Sequence, residues 1–330
     1  MRNIVQSILL IPMRFIFRSD ASREIGSGHV MRSSVLAEEA ISRGFECIFI
    51  GVISDLDWVS ERIAKLGFSQ VLEDEDLYQA NDKFDVLILD SYFIPITNQF
   101  IARKNWKLVL SICDVSTPKY ESDVEVRPGL IKANTEHQVP IILSGPEYVL
   151  IRKGIAKSNK QKSIGEILKV LIVGGGSDPF GFVPAIAQVL SSVNMELEVH
   201  TFTDGETPED SQVRFVKYPI GFDLDWIANM VDVVLTTAST SSLEFIAREI
   251  PTGIVCAVDN QVDYYNQLGQ LGCVSQIGIF NADQVWEFNL TLITEILESQ
   301  EKRESLKDAT RGLIDLKGAA RVIDTLLSLA

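Results

Sequence analysis

The apolar positions of this chain alternate between short continuous runs and longer stretches with a helical repeat. Met13 to Phe17 reads as a strand, Ser19 to Ser22 as its exit, and Ile25-Gly26-Ser27-Gly28 as a tight loop. From His29 the period becomes helical: Val30, Met31, Val35, Leu36, Ala37, Ala40 and Ile41 share one face, and Gly44 stands where a helix stop belongs. A strand, a glycine loop and a helix form the first half of a parallel α/β unit. Its loop lies at the carboxyl end of the strand, where open α/β sheets bind ligands.

The same alternation continues. Cys47 to Val52, Phe68 to Leu72, Phe84 to Asp90 and Lys107 to Ile112 read as strands, with helices over Leu56 to Leu66 and over Thr97 to Lys104. Val124 to Val126 and Tyr148 to Ile151 are shorter apolar pieces. The stretch 153–165 is basic, polar and glycine-punctuated and reads as a linker between a domain over 13–152 and a second over 166–330. The second half repeats the pattern. Strands are expected at Lys169 to Val173, Leu197 to Phe202, Val213 to Val216, Val231 to Leu235 and Gly253 to Val258. Helices are expected over Phe182 to Ser192 and Phe222 to Asn229, from Ser239 to about Glu249, and from beyond Gln261 to Leu271. Residues 282–330 are mostly helical in pattern, and an amphipathic last helix of this kind often packs back across a domain junction.

A chain of 330 residues with 46% hydrophobic content fits two ordinary domains. The net charge of −15 argues against a nucleic-acid partner and against an anionic membrane surface. Cys47, Cys113, Cys256 and Cys273 are far apart and form no ligand-like cluster, which suggests reduced, buried thiols in a cytoplasmic protein and no metal site. Residues 1–12 are too short and interrupted to span a bilayer, lack a small-residue cleavage site and read as an accessory extension.

Several groups carry candidate chemistry. His29 stands at the first turn of a helix, where free N–H groups and the dipole disfavour a second positive charge. An imidazole there is expected to be neutral, as a general base must be. Gly26 and Gly28 leave room for a substrate to approach. Its alternative role is to cap or pack the helix. Asp90 and Asp114 fall at strand ends, as catalytic acids or as turn-formers. Gly174-Gly175-Gly176-Ser177-Asp178 follows a strand and precedes a helix, which suits phosphate or ribose, although it is neither a dinucleotide fingerprint nor a P-loop. Ser239, Thr240, Ser241 and Ser242 crowd another helix start, with Glu244 one turn in. They suit diphosphate oxygens, with Glu244 accepting from a ribose; capping alone is the usual alternative.

Two such β/α domains describe a clamshell, and the motifs sharpen the picture. Arg18 to Ala37, Asp90-Ser91-Tyr92, Ser144 to Arg152, Gly175 to Pro179, Ser239 to Pro251 and Asn260-Gln261 occur in the order found in one family. The chain resembles the PseG/SpsG family of UDP-sugar hydrolases, relatives of the MurG-type glycosyltransferases, from Met13 to about Gly272. The resemblance implies a GT-B-like α/β fold: two Rossmann-like domains with the active site in the cleft between them. It implies release of UDP from a UDP-linked 2,4-diacetamido-2,4,6-trideoxyhexose by water, with inversion, without metal or cofactor. His29 would be the base, with Asp20 orienting it or a hydroxyl and Tyr92 near the sugar. Arg18, Gly26, Gly28 and Arg32 would line the substrate site. Gly175, Gly176, Ser177, Asp178, Ser239, Thr240, Ser241, Ser242 and Glu244 would hold the nucleotide, and Asn260 and Gln261 the sugar or diphosphate. The partners implied are the UDP-sugar and UDP, for a monomer without nucleic acid or stable membrane insertion.

The chain departs from the family pattern in places. Ala238 and Ser239 stand where the family carries a glycine pair, Cys113-Asp114-Val115 replaces an acidic pair, and Arg127 takes the place of an Asn before Pro128. These changes leave the sugar open, including a paralogue acting on another UDP- or CMP-pathway sugar. Two further readings stand beside hydrolysis: a glycosyltransferase that uses the same fold and histidine on an acceptor hydroxyl, or a nucleotide-sugar-binding protein without catalysis.

Overall fold

The computed structural model describes residues 13–79, 85–114, 117–132, 141–155, 157, 166–176, 178–203, 206–208, 212–219 and 221–330. The proposed extension 1–12, most of the 153–165 stretch, Val115 and Ser177 lie outside the described residues.

The first sheet contains β1 (Arg14–Arg18), β2 (Glu46–Ile50), β3 (Gln70–Leu72), β4 (Val86–Leu89), β5 (Leu108–Ile112), β6 (Val124–Arg127) and β7 (Ile141–Ser144). Its order is β3-β2-β1-β4-β5-β6-β7, and every neighbouring pair is parallel. The second sheet contains β8 (Leu168–Val173), β9 (Leu197–Phe202), β10 (Val213–Tyr218), β11 (Val233–Thr237), β12 (Thr252–Cys256), β13 (Ser275–Phe280) and β14 (Trp286–Phe288). Its order, β10-β9-β8-β11-β12-β13-β14, repeats the first, except that β14 runs antiparallel on the edge. Both are doubly wound, Rossmann-like sheets. Each has a switch point where the order reverses, between β1 and β4 in one and between β8 and β11 in the other. Crevices open at the carboxyl ends of strands at such points.

The helices are α1 (Gly28–Ser42), α2 (Asp57–Lys65), α3 (Phe182–Ser191), α4 (Leu224–Ala228), α5 (Thr240–Ala247), α6 (Val262–Gln270), α7 (Leu290–Glu298), α8 (Gln300–Thr310) and α9 (Gly318–Leu329). Central strands are buried on both faces, as the unbroken apolar runs require. Phe15, Phe17 and Phe49 form the first core with Leu36 of α1. The last helix joins that core rather than the second: Val322, Ile323 and Leu326 of α9 pack there, and Arg321 donates to the Glu147 carbonyl at 2.8 Å.

Some segments differ from the sequence reading, among them strands β7, β13 and β14, which it did not include. Thr97 to Lys104 is not a helix; turns lead to a single 3₁₀ turn at Arg103–Asn105. Asn98 Oδ1 accepts from the Phe100 amide at 2.8 Å, and Asn105 Nδ2 and Trp106 Nε1 donate to the carbonyls of Gln99 and Phe100. Side chains therefore take the backbone groups that a helix would use. The apolar piece Tyr148 to Ile151 carries no strand. The last parallel strand is β7, and Pro146–Tyr148 forms a 3₁₀ turn behind Gly145 at φ +102°.

Candidate active site

The two switch points face each other across a cleft of about 2560 Å³. On the first-domain side, the loop after β1 brings His29 to the start of α1, and the end of β4 brings Asp90, Ser91 and Tyr92 beside it. The rings of His29 and Tyr92 meet edge to face, with centroids 4.2 Å apart. His29 Nε2 lies 3.9 Å from Asp90 Oδ1, too far for a hydrogen bond but close for a charge. Asp90 is fully buried and takes a bidentate guanidinium, from Arg32 Nε at 3.0 Å and Nη2 at 2.7 Å. Arg32 Nη1 also reaches Asp114 Oδ2 at 3.3 Å, and Tyr92 Oη donates to that same oxygen. Across the cleft, Asn260 Nδ2 donates to Tyr92 Oη at 3.4 Å. One polar network thus runs from the histidine to the second domain.

Its electrostatics follow from burial and order. Burial holds the His29 imidazole below its ordinary pKa; Arg32 pushes the same way, against Asp90 and the weaker pulls of Asp114 and Asp20. A neutral ring follows, with burial as its largest cause. Burial works against the Arg32 charge as well, but Asp90 and Asp114 outweigh it and fix the guanidinium as a cation. Burial raises the Tyr92 phenol far above its ordinary value, so it stays protonated.

The second-domain side is built from glycines and two helix starts. Gly175 has φ +88°, and a Cβ on Gly176 would lie 2.2 Å from Ser27 Oγ, 3.1 Å from Ser27 Cβ and 3.2 Å from Trp58, so the glycine eases the close approach of the loops of the two domains. The two helix starts differ. At α3, the Asp178 carboxylate accepts from the amides of Phe182 and Val183, both at 2.9 Å. At α5, the N-cap residue Ser239 makes no capping bond, and Thr240 and Ser241 line the cleft. The start of α5, unlike that of α3, therefore faces the cleft without a side-chain cap.

The expected site residues divide accordingly. His29, Tyr92, Arg32, Gly26, Gly28, Gly175, Gly176, Ser239, Thr240, Ser241, Glu244, Asn260 and Gln261 all line the cleft. Gln261 Oε1 accepts from the Ala257 amide at 2.9 Å and so braces its own loop. Four expectations are corrected. Asp20 does not orient the imidazole; its Oδ1 takes Arg18 Nη1 at 2.7 Å and the Val52 amide at 2.8 Å, pinning the exits of β1 and β2. Arg18 is engaged by Asp20 and by Glu75 at 2.7 Å and is absent from the cleft wall. Asp178 reaches the cleft, but its carboxylate is used by α3. Ser242 is fully buried, with its hydroxyl donating to the Ser239 carbonyl at 2.7 Å.

Other residues emerge only from the fold. Asp90 and Asp114 were visible as strand-end acids, but not as partners of Arg32. Arg152 and Asp225 line the cleft beside Glu244, and Trp58 of α2 packs toward Gly176 and Gly221. No spacing in the sequence signals these meetings.

With the geometry in view, comparison with known proteins places the chain. No family model matches it. It is 26% identical over 174 residues to the UDP-2,4-diacetamido-2,4,6-trideoxy-beta-L-altropyranose hydrolase of Campylobacter jejuni, covering 50% of this chain and 61% of that enzyme. An uncharacterized protein of Methanocaldococcus jannaschii is 22% identical over 281 residues, covering 77% of this chain and 58% of that protein. The chain thus spans about three-fifths of the length of the curated relatives it matches. Among solved structures, Acinetobacter baumannii MurG superimposes over 96% of this chain and 99% of its own, with TM-score 0.60 and 11% identity. Among the described residues, no helix is long and apolar enough to cross a membrane. The chain has the GT-B fold and is related in sequence to a UDP-sugar hydrolase.

Proposed function

We propose that the protein hydrolyses a UDP-linked 2,4-diacetamido-2,4,6-trideoxyhexose, releasing UDP and the free sugar for surface-glycan biosynthesis. The observation that carries this reading is the position of His29: a buried, neutral imidazole at one wall of a cleft whose opposite wall presents the uncapped start of α5.

Each part of the substrate has a matching group. The diphosphate lies at the amides and hydroxyls of Thr240 and Ser241, beside Gly175 and Gly176, where helix-start N–H groups stabilise the charge of departing UDP. Glu244 accepts from the ribose. Asn260 Oδ1 is buried with no partner among the described residues, so it is ready to accept an N–H or O–H of the sugar. His29 takes the proton of a water molecule as its oxygen attacks the anomeric carbon. The bond from that carbon to the phosphate oxygen breaks with inversion, and its electrons leave with UDP. Asp90 stabilises the imidazolium that forms, and Arg32 holds the Asp90 carboxylate in place through two hydrogen bonds. The chemistry as written needs no metal.

Turnover in heavy-oxygen water tests the bond that breaks. Label in the released sugar and none in UDP supports attack at carbon, whereas label in UDP overturns it. A second reading, transfer to an acceptor hydroxyl, draws on the open volume of the cleft and the MurG-like fold. It requires UDP release to depend on an added acceptor.

A further inference from the structure

Arg152 lies on the segment that passes from β7 in the first sheet to β8 in the second. Its side chain is 13% exposed. Nε donates to both oxygens of Glu244 at 3.1 Å, while Nη1 donates to Asp225 Oδ2 at 2.6 Å and Nη2 to Asp225 Oδ1. One planar guanidinium thus spans a carboxylate just before the first turn of α4 closes and another one turn into α5. Its backbone is held as firmly. Val149, Ile151 and Ile155 pack in one cluster with Leu243 and Ile246 of α5.

A glutamate carboxylate turns readily about its terminal torsion, and a cleft-wall glutamate would sample many orientations. A guanidinium seated on a second carboxylate removes that freedom, because its fork has a fixed plane. We propose that Arg152 is the positioning residue for ribose recognition: it fixes the plane of Glu244 so that the remaining lone pairs of that carboxylate meet the ribose hydroxyls. The proposal rests on the reading of Glu244 as the ribose acceptor. It assigns Asp225 the task of seating the guanidinium, without contact to the nucleotide.

The test measures binding of UDP, 2′-deoxy-UDP and 3′-deoxy-UDP to the full chain by calorimetry. The wild-type protein should prefer UDP over at least one deoxy analogue by about 10-fold or more, as loss of a hydrogen bond to a charged group implies. Arg152→Lys keeps the charge but lacks the fork. With this change, as with Glu244→Gln, the preference should fall to about 2-fold or less, and UDP itself should bind more weakly. Asp225→Asn, which leaves Arg152 in place but loosens its seat, should give an intermediate preference and keeps the test readable if Arg152→Lys does not fold. A folded Arg152→Lys or Asp225→Asn protein with the full wild-type preference overturns the role of Arg152 and leaves the nucleotide reading intact. A wild-type protein that ignores the ribose hydroxyls, or does not bind UDP, overturns both.

Discussion

Arg32 grips Asp90 through two parallel hydrogen bonds, 3.0 and 2.7 Å long, beneath the ring of His29. Asp90 is fully buried and Arg32 nearly so. Without Asp90, the largely buried Arg32 keeps only Asp114, at 3.3 Å, as a carboxylate partner. Asp90→Ala should therefore cost folding stability, toward the lower end of the about 3–5 kcal/mol that breaking a buried pair costs. Arg32→Met combined with Asp90→Leu should cost clearly less than Asp90→Ala. Denaturant unfolding measures both, and a double variant less stable than the single would contradict the pairing.

The same pair tunes the base. Burial and Arg32 lower the His29 pKa, and Asp90 raises it. The imidazole is active when neutral, so kcat/KM should fall only as pH drops through a value below the ordinary histidine value of about 6.5. It should be flat through neutral pH. Arg32→Met removes a cation and leaves Asp90, which favours the imidazolium; its acid limb should move to higher pH. A limb that stays put or moves down would contradict the coupling.

His29→Ala should lower turnover by about 10²-fold or more. UDP binding should change little, because the phosphate and ribose groups belong to the second domain. Steady-state rates and calorimetry separate the two effects. A variant that keeps its rate would remove His29 from the mechanism.

Much of this site could be read in the sequence, and the losses have physical causes. The β1 loop, the glycine triplet and the hydroxyl-rich start of α5 are local signals: Gly26 and Gly175 hold positive φ, and the hydroxyls crowd a single helix start. The family resemblance offered Asp20, which is also near in sequence, as the partner of His29. In space the nearer carboxylate is Asp90, since β4 lies beside β1 across the switch point. Sequence proximity misleads wherever a parallel neighbour delivers the group. Strand β13 gave no signal because Ser275-Gln276-Ile277-Gly278 mixes polar residues and a glycine into its run. That glycine is required by packing: a Cβ on it would lie 2.6 Å from the Glu287 carbonyl on β14. The Arg152 cluster joins residues from three distant segments and leaves no local trace.

Helix α9 offers a test of how the fold is closed. Its first residue, Gly318, touches the segment before β8 so closely that a Cβ would lie 2.1 Å from the Val149 carbonyl. Backbone cannot rotate away as a side chain can. Gly318→Ala should destabilise the protein by about 1–3 kcal/mol, the usual cost of overpacking, and hydrogen exchange in α9 should accelerate. Unchanged stability would mean that α9 does not seat as described.

The central claim is that this cleft uses water to release UDP. The most direct measurement is UDP release from a small panel of UDP-sugars with no acceptor present, with and without EDTA. The account predicts steady release from a UDP-linked diacetamido-trideoxyhexose, unaffected by EDTA and abolished in His29→Ala. UDP binding without release from any panel member, followed by release once an acceptor alcohol is added, would contradict it.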